Sequence, residues 1–146
     1  MTGLFAEVKS GRVFLGRLPA GGDLVTEMES VCTRHARDLG IFTIQGAVSS
    51  VTWGVYDPSQ HVYVTRTAEA THQIAVCTGN ISLKSGNPFV LAQGVFSDQD
   101  GRCFGGRVFS DTRLIACEYE LTELKGSPLD RNYDPETGMM LWQFPR

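Results

Sequence analysis

Only one stretch of this chain carries helical periodicity, and nearly everything after it alternates in the manner of strand. Between residues 23 and 39 the apolar positions are Leu24, Met28, Val31, Cys32, Ala36 and Leu39, which fall on one stripe. Asp23 stands where an N-cap carboxylate would accept the first orphan amides of the helix. Asp23, Glu27 and Glu29 lie early and Arg34, His35 and Arg37 lie late, which suits the helix dipole at both ends. Gly40 occupies the position of a left-handed C-cap residue. The predicted class is therefore α+β: a mainly antiparallel sheet with one long helix packed on a face.

Residues 11–18 read as a short strand before the breaker at 19–22. After Gly40 the strand-like segments are 41–50, 51–56, 61–67, 72–83, 89–97, 103–110, 114–124 and 139–144. In the first of these, Phe42, Ile44 and Val48 alternate with Thr43, Gln45 and Ser49, a half-buried pattern. The turn at 57–60 predicts a hairpin, and further breaks fall at 85–88, 98–101, 111–112 and 126–128. No repeat, linker or low-complexity stretch divides the 146 residues, so one domain over 1–146 is expected. With 42% hydrophobic and 20% charged residues, the chain is not disordered, collagen-like or a disulfide scaffold.

Residues 89–96 are apolar on both alternating faces apart from Gln93, and 73–77 and 139–142 are similar. One helix cannot cover both faces of a wide sheet. Either the sheet curls on itself or another subunit buries the second face.

The formal charge is −3, and the basic residues are scattered with no run of three. A domain gripping phosphates would carry a basic stripe, so direct DNA binding is expected to be weak or absent. No apolar run approaches the roughly 18 residues of a membrane span, and none is expected. The first residues carry Glu7 and no basic leader, so no secretory signal is expected. Cys32, Cys77, Cys103 and Cys117 form no CxxC or CxxH, which predicts a reduced, cytoplasmic chain. Three of them lie in strand-like stretches among apolar neighbours, where cysteine acts as a small buried hydrophobe.

Catalytic constellations are sparse. His35 falls beside the apolar stripe of the helix, His61 follows a turn, and His72 starts a strand. Asp98 and Asp100 mark a turn rather than a calcium loop, because no further ligands follow at EF-hand spacing. Glu118 and Glu120 share a strand face opposite Cys117, Tyr119 and Leu121, which a solvated face explains. No GxSxG, GxGxxG or P-loop is present.

The order Arg17-Leu-Pro-Ala-Gly-Gly-Asp-Leu24, a helix, Leu39-Gly-Ile41 and Ile44-Gln-Gly-Ala47 resembles the opening of the plants-and-prokaryotes-conserved (PPC) domain. Gly79-Asn80-Ile81-Ser82, Asn87-Pro-Phe89, Asp98-Gln-Asp-Gly-Arg102, Gly105-Gly106 and the tail Arg131-Asn-Tyr-Asp-Pro-Glu-Thr-Gly138 continue the likeness. The resemblance implies an α+β domain assembled as a homotrimer. Family members carry a DNA-binding label that comes from plant relatives with a separate AT-hook. That Arg-Gly-Arg-Pro tetrapeptide is missing here, and Gly16-Arg-Leu-Pro19 is only an echo of it.

Prokaryotic members of the family commonly hold three histidines suited to zinc, and the fold is similar to that of a zinc-dependent acetolactate decarboxylase. By spacing, those positions here are Leu91, Gln93 and Arg107. Leucine cannot ligate, glutamine ligates zinc poorly, and a guanidinium repels a cation. No metal or other cofactor is therefore expected. If Gln99-Asp-Gly101 forms a three-residue loop, Asp98 faces Arg102, Gln93 faces Arg107 and Leu91 faces Phe109. Gln93 and Arg107 then make either a hydrogen-bonded pair at a subunit contact or half of an anion pocket. The candidate pocket is Leu91, Gln93 and Arg107 with Asn80 and Asp98. The expected function is non-enzymatic: a trimeric protein binding a small anionic ligand or a protein partner, with a regulatory role. The alternatives are a DNA-associated transcriptional regulator and a lyase or hydrolase whose zinc site is lost.

Overall fold

The computed structural model describes residues 3–144. Its single helix, α1 (Leu24–His35), begins where the sequence places it. Asp23 Oδ2 accepts from the Thr26 amide at 3.0 Å, while Oδ1 accepts from the Asp111 and Thr112 amides at 2.8 and 3.0 Å. One carboxylate thus caps the helix and ties it to a distant strand. Leu24, Met28 and Cys32, four residues apart on one face, are wholly buried. Burial of each of the two larger side chains stabilises the fold by about 1.5–3 kcal/mol.

The helix ends earlier than the sequence suggests. Ala36 and Arg37 both donate to the Cys32 carbonyl, and Arg37, not Gly40, takes the left-handed conformation (φ 51°). Gly40 instead opens the next strand. A Cβ there would stand 2.9 Å from the Ala36 Cβ and 3.1 Å from the Thr122 carbonyl oxygen, so close approach is what requires glycine.

The strands are β1 (Lys9–Leu18), β2 (Gly40–Asp57), β3 (Val62–Ala68), β4 (His72–Lys84), β5 (Asn87–Ser97), β6 (Cys103–Lys125), β7 (Asp130–Tyr133) and β8 (Met140–Trp142). Segments expected as separate strands at 41–50 and 51–56 are one strand, and so are 103–110 and 114–124. The apparent break at 111–112 is an irregularity within β6, with Asp111 at φ 73° and its amide held by Asp23. The segment expected at 139–144 shrinks to β8, which pairs with β7, a polar strand without a period-2 signature.

The sheet runs β3-β2-β6-β5-β4-β7-β8, with β1 on β6, and every pairing is antiparallel except β4–β7. An additional β2–β4 pairing closes the ring β2-β6-β5-β4. The sheet therefore curls on itself. Helix α1 packs on β6, β5 and β1. The buried core joins Leu24, Met28 and Cys32 of the helix to Phe42, Ile44, Ile81, Phe96 and Leu121 of the sheet. Outside the ring, Val55, Val76 and Val95 remain exposed. Cys32, Cys77 and Cys117 are buried, but Cys103 at the head of β6 is exposed, contrary to its apolar sequence neighbourhood, and all four are free thiols. No helix of the described residues is long and apolar enough to cross a membrane.

Candidate functional site

The β5–β6 hairpin sets the site. Gly101 is left-handed (φ 79°), Asp98 N donates to the Arg102 carbonyl, and the register places Gln93 opposite Arg107 as the sequence predicts. Ladder pairing stops there. Phe109 continues instead against Thr52 of β2, and Leu91 lies opposite Asn80 of β4, so the expected Leu91–Phe109 pair does not form. The reason is β6 itself, which leaves β5 to close the ring with β2.

Opposed residues share a face, so Leu91, Gln93 and Arg107 come together with Thr78 and Asn80. They line two adjoining grooves of about 450 and 940 Å³, which share Thr78, Leu91 and Gln93. Gly105 forms part of the smaller groove's floor. A Cβ there would sit 2.3 Å from the Gly94 carbonyl oxygen, so the strands can come this close only without a side chain. Asp98 stands apart at the hairpin turn, where its Oδ1 accepts from the Asp100 and Arg102 amides, both at 2.9 Å.

Arg107 does not hydrogen-bond Gln93. Its guanidinium carbon instead lies 4.8, 5.2 and 5.7 Å from the ring centres of Phe109, Tyr63 and Phe89. Cation–π contact of this kind holds the group in place without neutralising it. Among the described residues the one ion pair is Arg12–Glu123, so Arg107 has no acidic partner there.

The larger groove brings in a residue that the sequence reading did not single out. Arg131, on β7, is only 6% exposed. It donates to Ser82 Oγ at 3.2 Å, to the Met140 carbonyl at 3.0 Å and to Asn80 Oδ1 at 2.9 Å, and it lies over the Trp142 ring. Trp142 Nε1 donates to the same Ser82 oxygen. Burial lowers the Arg131 pKa from its ordinary value, and the neighbouring Arg107 charge pushes the same way. Nothing local in Arg131-Asn-Tyr-Asp134 distinguishes a buried arginine from a surface one. Its signals are its place at the head of the tail motif and Trp142, a bulky aromatic eleven residues on that pairs with it across β7–β8.

The three positions that the resemblance assigns to zinc carry a different donor set. Leu91, Gln93 and Arg107 offer one amide and a cation, no imidazole or thiolate. No group of three or more His, Cys, Asp or Glu residues is placed to hold a metal among the described residues. His35 stacks on Phe14, and His72 is buried with Nδ1 2.7 Å from the Ala70 carbonyl. Glu120 accepts from Thr43, and Arg12 draws the Glu123 carboxyl below the usual range by hydrogen bonding, so the strand-face carboxylates make no acid–base pair.

Comparison with known proteins places these features in context. The sequence profile of the Plants and Prokaryotes Conserved (PCC) domain matches residues 5–125. A metal-containing protein from Archaeoglobus fulgidus is 31% identical over 98% of this chain and 100% of its own, with a TM-score of 0.90. A plant- and prokaryote-conserved protein from Pyrococcus horikoshii is 26% identical over 98% of this chain and 99% of its own, also at 0.90. A candidate DNA-binding protein from Ralstonia eutropha JMP134 shares the fold, at 24% identity over 90% of both chains and a TM-score of 0.77. No curated protein matches the sequence.

Proposed function

The chain belongs to the Plants and Prokaryotes Conserved domain family, and we propose that it is a non-enzymatic, homotrimeric member that binds a small anionic ligand in a regulatory role. One observation carries this reading. Arg107 lines a groove with its charge uncompensated by any acid among the described residues, fixed by three aromatic rings beside the Gln93 amide. A guanidinium held in this way offers paired N–H donors to a carboxylate or phosphate oxygen. Among the described residues lining that groove there is no His, Cys, Asp or Glu to hold a metal or act as a carboxylate or imidazole base. The exposed Val55, Val76 and Val95, which line the same smaller groove as Arg107, support assembly that places this groove at a subunit boundary, because burying them against another copy removes apolar surface from water.

A second reading, direct association with DNA, draws support from the Ralstonia eutropha protein. The net charge of −3 and the scattered basic residues argue against it. Calorimetric titration of wild type and Arg107→Gln with acetate and with duplex DNA at physiological salt separates the two. The proposal expects saturable acetate binding that Arg107→Gln abolishes, and no DNA binding tighter than high micromolar. Submicromolar DNA binding, with a log–log salt slope of about −0.9 per phosphate contacted, would make the regulator reading the better one.

A further inference from the structure

We infer that the two adjoining grooves form one site for a doubly charged anion with a short apolar spine, a dicarboxylate, held at its ends by Arg107 and Arg131. This inference rests on the proposed anion-binding function and specifies its ligand class. Arg131 is buried, yet every acceptor it meets is neutral: a hydroxyl, a backbone carbonyl and an amide oxygen. Three of the five guanidinium N–H groups are thereby engaged, leaving donors on both terminal nitrogens for an incoming group. A buried cation is ordinarily matched by a carboxylate, because desolvating it alone is costly. Here no ion pair reaches it among the described residues.

Two like charges in electrostatic reach of each other, both without a counterion, are more stable with two negative charges between them. The one acid lining the larger groove, Glu120, accepts from the Thr43 hydroxyl and pairs with neither arginine among the described residues. The ends of the site are polar, with Gln93 at Arg107 and Asn80 at Arg131. Of the wall the two grooves share, Thr78, Leu91 and Gln93, the apolar member is Leu91, and the larger groove adds Ile41, Phe42 and Leu141. That pattern fits a methylene spacer between two carboxylates rather than a compact anion. Trp142, on which Arg131 lies, fixes the Ser82 hydroxyl and so the aim of the guanidinium.

The test is calorimetric titration with acetate, inorganic phosphate and glutarate against wild type, Arg107→Gln, Arg131→Gln and Arg131→Lys, each checked for folding by circular dichroism. Wild type should bind glutarate about tenfold or more tightly than acetate or phosphate, the gain of a second charge-assisted contact. Arg107→Gln and Arg131→Gln should each remove that advantage. Arg131→Lys, which keeps the charge, should retain part of it and decides the matter if Arg131→Gln does not fold. Equal affinities for glutarate and acetate, both lost in Arg107→Gln, would overturn the two-ended site and leave the anion-binding function standing. Phosphate binding as tightly as glutarate would overturn the apolar spine. Absence of any anion binding, or binding indifferent to Arg107→Gln, would overturn both readings together.

Discussion

Gln93 and Arg107 stand directly opposite each other on β5 and β6, yet the guanidinium turns from the amide to lie among Phe109, Tyr63 and Phe89. The aromatic faces position the cation and leave its hydrogen-bonding capacity available. Both groups therefore present polar atoms to a groove instead of to one another.

Zinc chemistry should be missing from this position. Leu91, Gln93 and Arg107 provide no strong donor, so elemental analysis of the purified protein should find no stoichiometric zinc bound there. About one tightly held zinc per chain, lost in Gln93→Ala, would contradict this.

Assembly should depend on the outer face of the ring. Light scattering at micromolar concentration should give a trimer, and Val76→Glu should weaken it by placing a charge among Val55 and Val95, on the wall of the groove that also holds Arg107. A monomeric wild type would defeat the trimer proposal.

Asp23 should be worth more than an ordinary helix cap. Its removal leaves the Thr26, Asp111 and Thr112 amides without their acceptor, and the Thr112 residue is fully buried. Asp23→Ala should cost about 2–3 kcal/mol in urea unfolding, and Asp23→Asn less, since one oxygen is kept. A loss under about 0.5 kcal/mol would show that the bulge in β6 needs no such tie.

The thiols should divide by burial. At neutral pH one thiol per chain, Cys103, should react quickly with a disulfide reagent, and Cys103→Ser should abolish that phase. Burial pushes the Cys32 and Cys77 thiols up to about 12. Because an unfolded thiol ionises near 8.5, the folded state holds the extra protons. The resulting stability is complete below about pH 8.5 and is lost as pH rises toward 12. Rapid reaction of a second thiol in folded protein would contradict the burial.

The helix was legible because its apolar stripe, cap and charge order all agree, and the β5–β6 register was legible because Asp98–Gly101 admits few turns. What the sequence could not show depends on distant partners. The continuity of β6 through residues 111–112 rests on the Asp23 carboxylate some ninety residues earlier. The role of Gly40 rests on how near Ala36 and Thr122 approach. Of the site, the Leu91–Gln93–Arg107 cluster could be read from strand spacing, and Asn80 from its motif. Arg131 opens a quoted motif too, but its burial could not be read, because β7 has no alternation and that burial is created by β4 and Trp142.

The most direct measurement of the central claim is the nitrogen-15 resonance of the Arg107 side-chain Nε during titration with glutarate. An anion seated at this guanidinium should shift that resonance saturably, with the exposed Arg12 and Arg113 as internal controls that do not move in parallel. A linear, unsaturable drift shared by all three, or no shift of Arg107 at all, would contradict the assignment of this groove as an anion site.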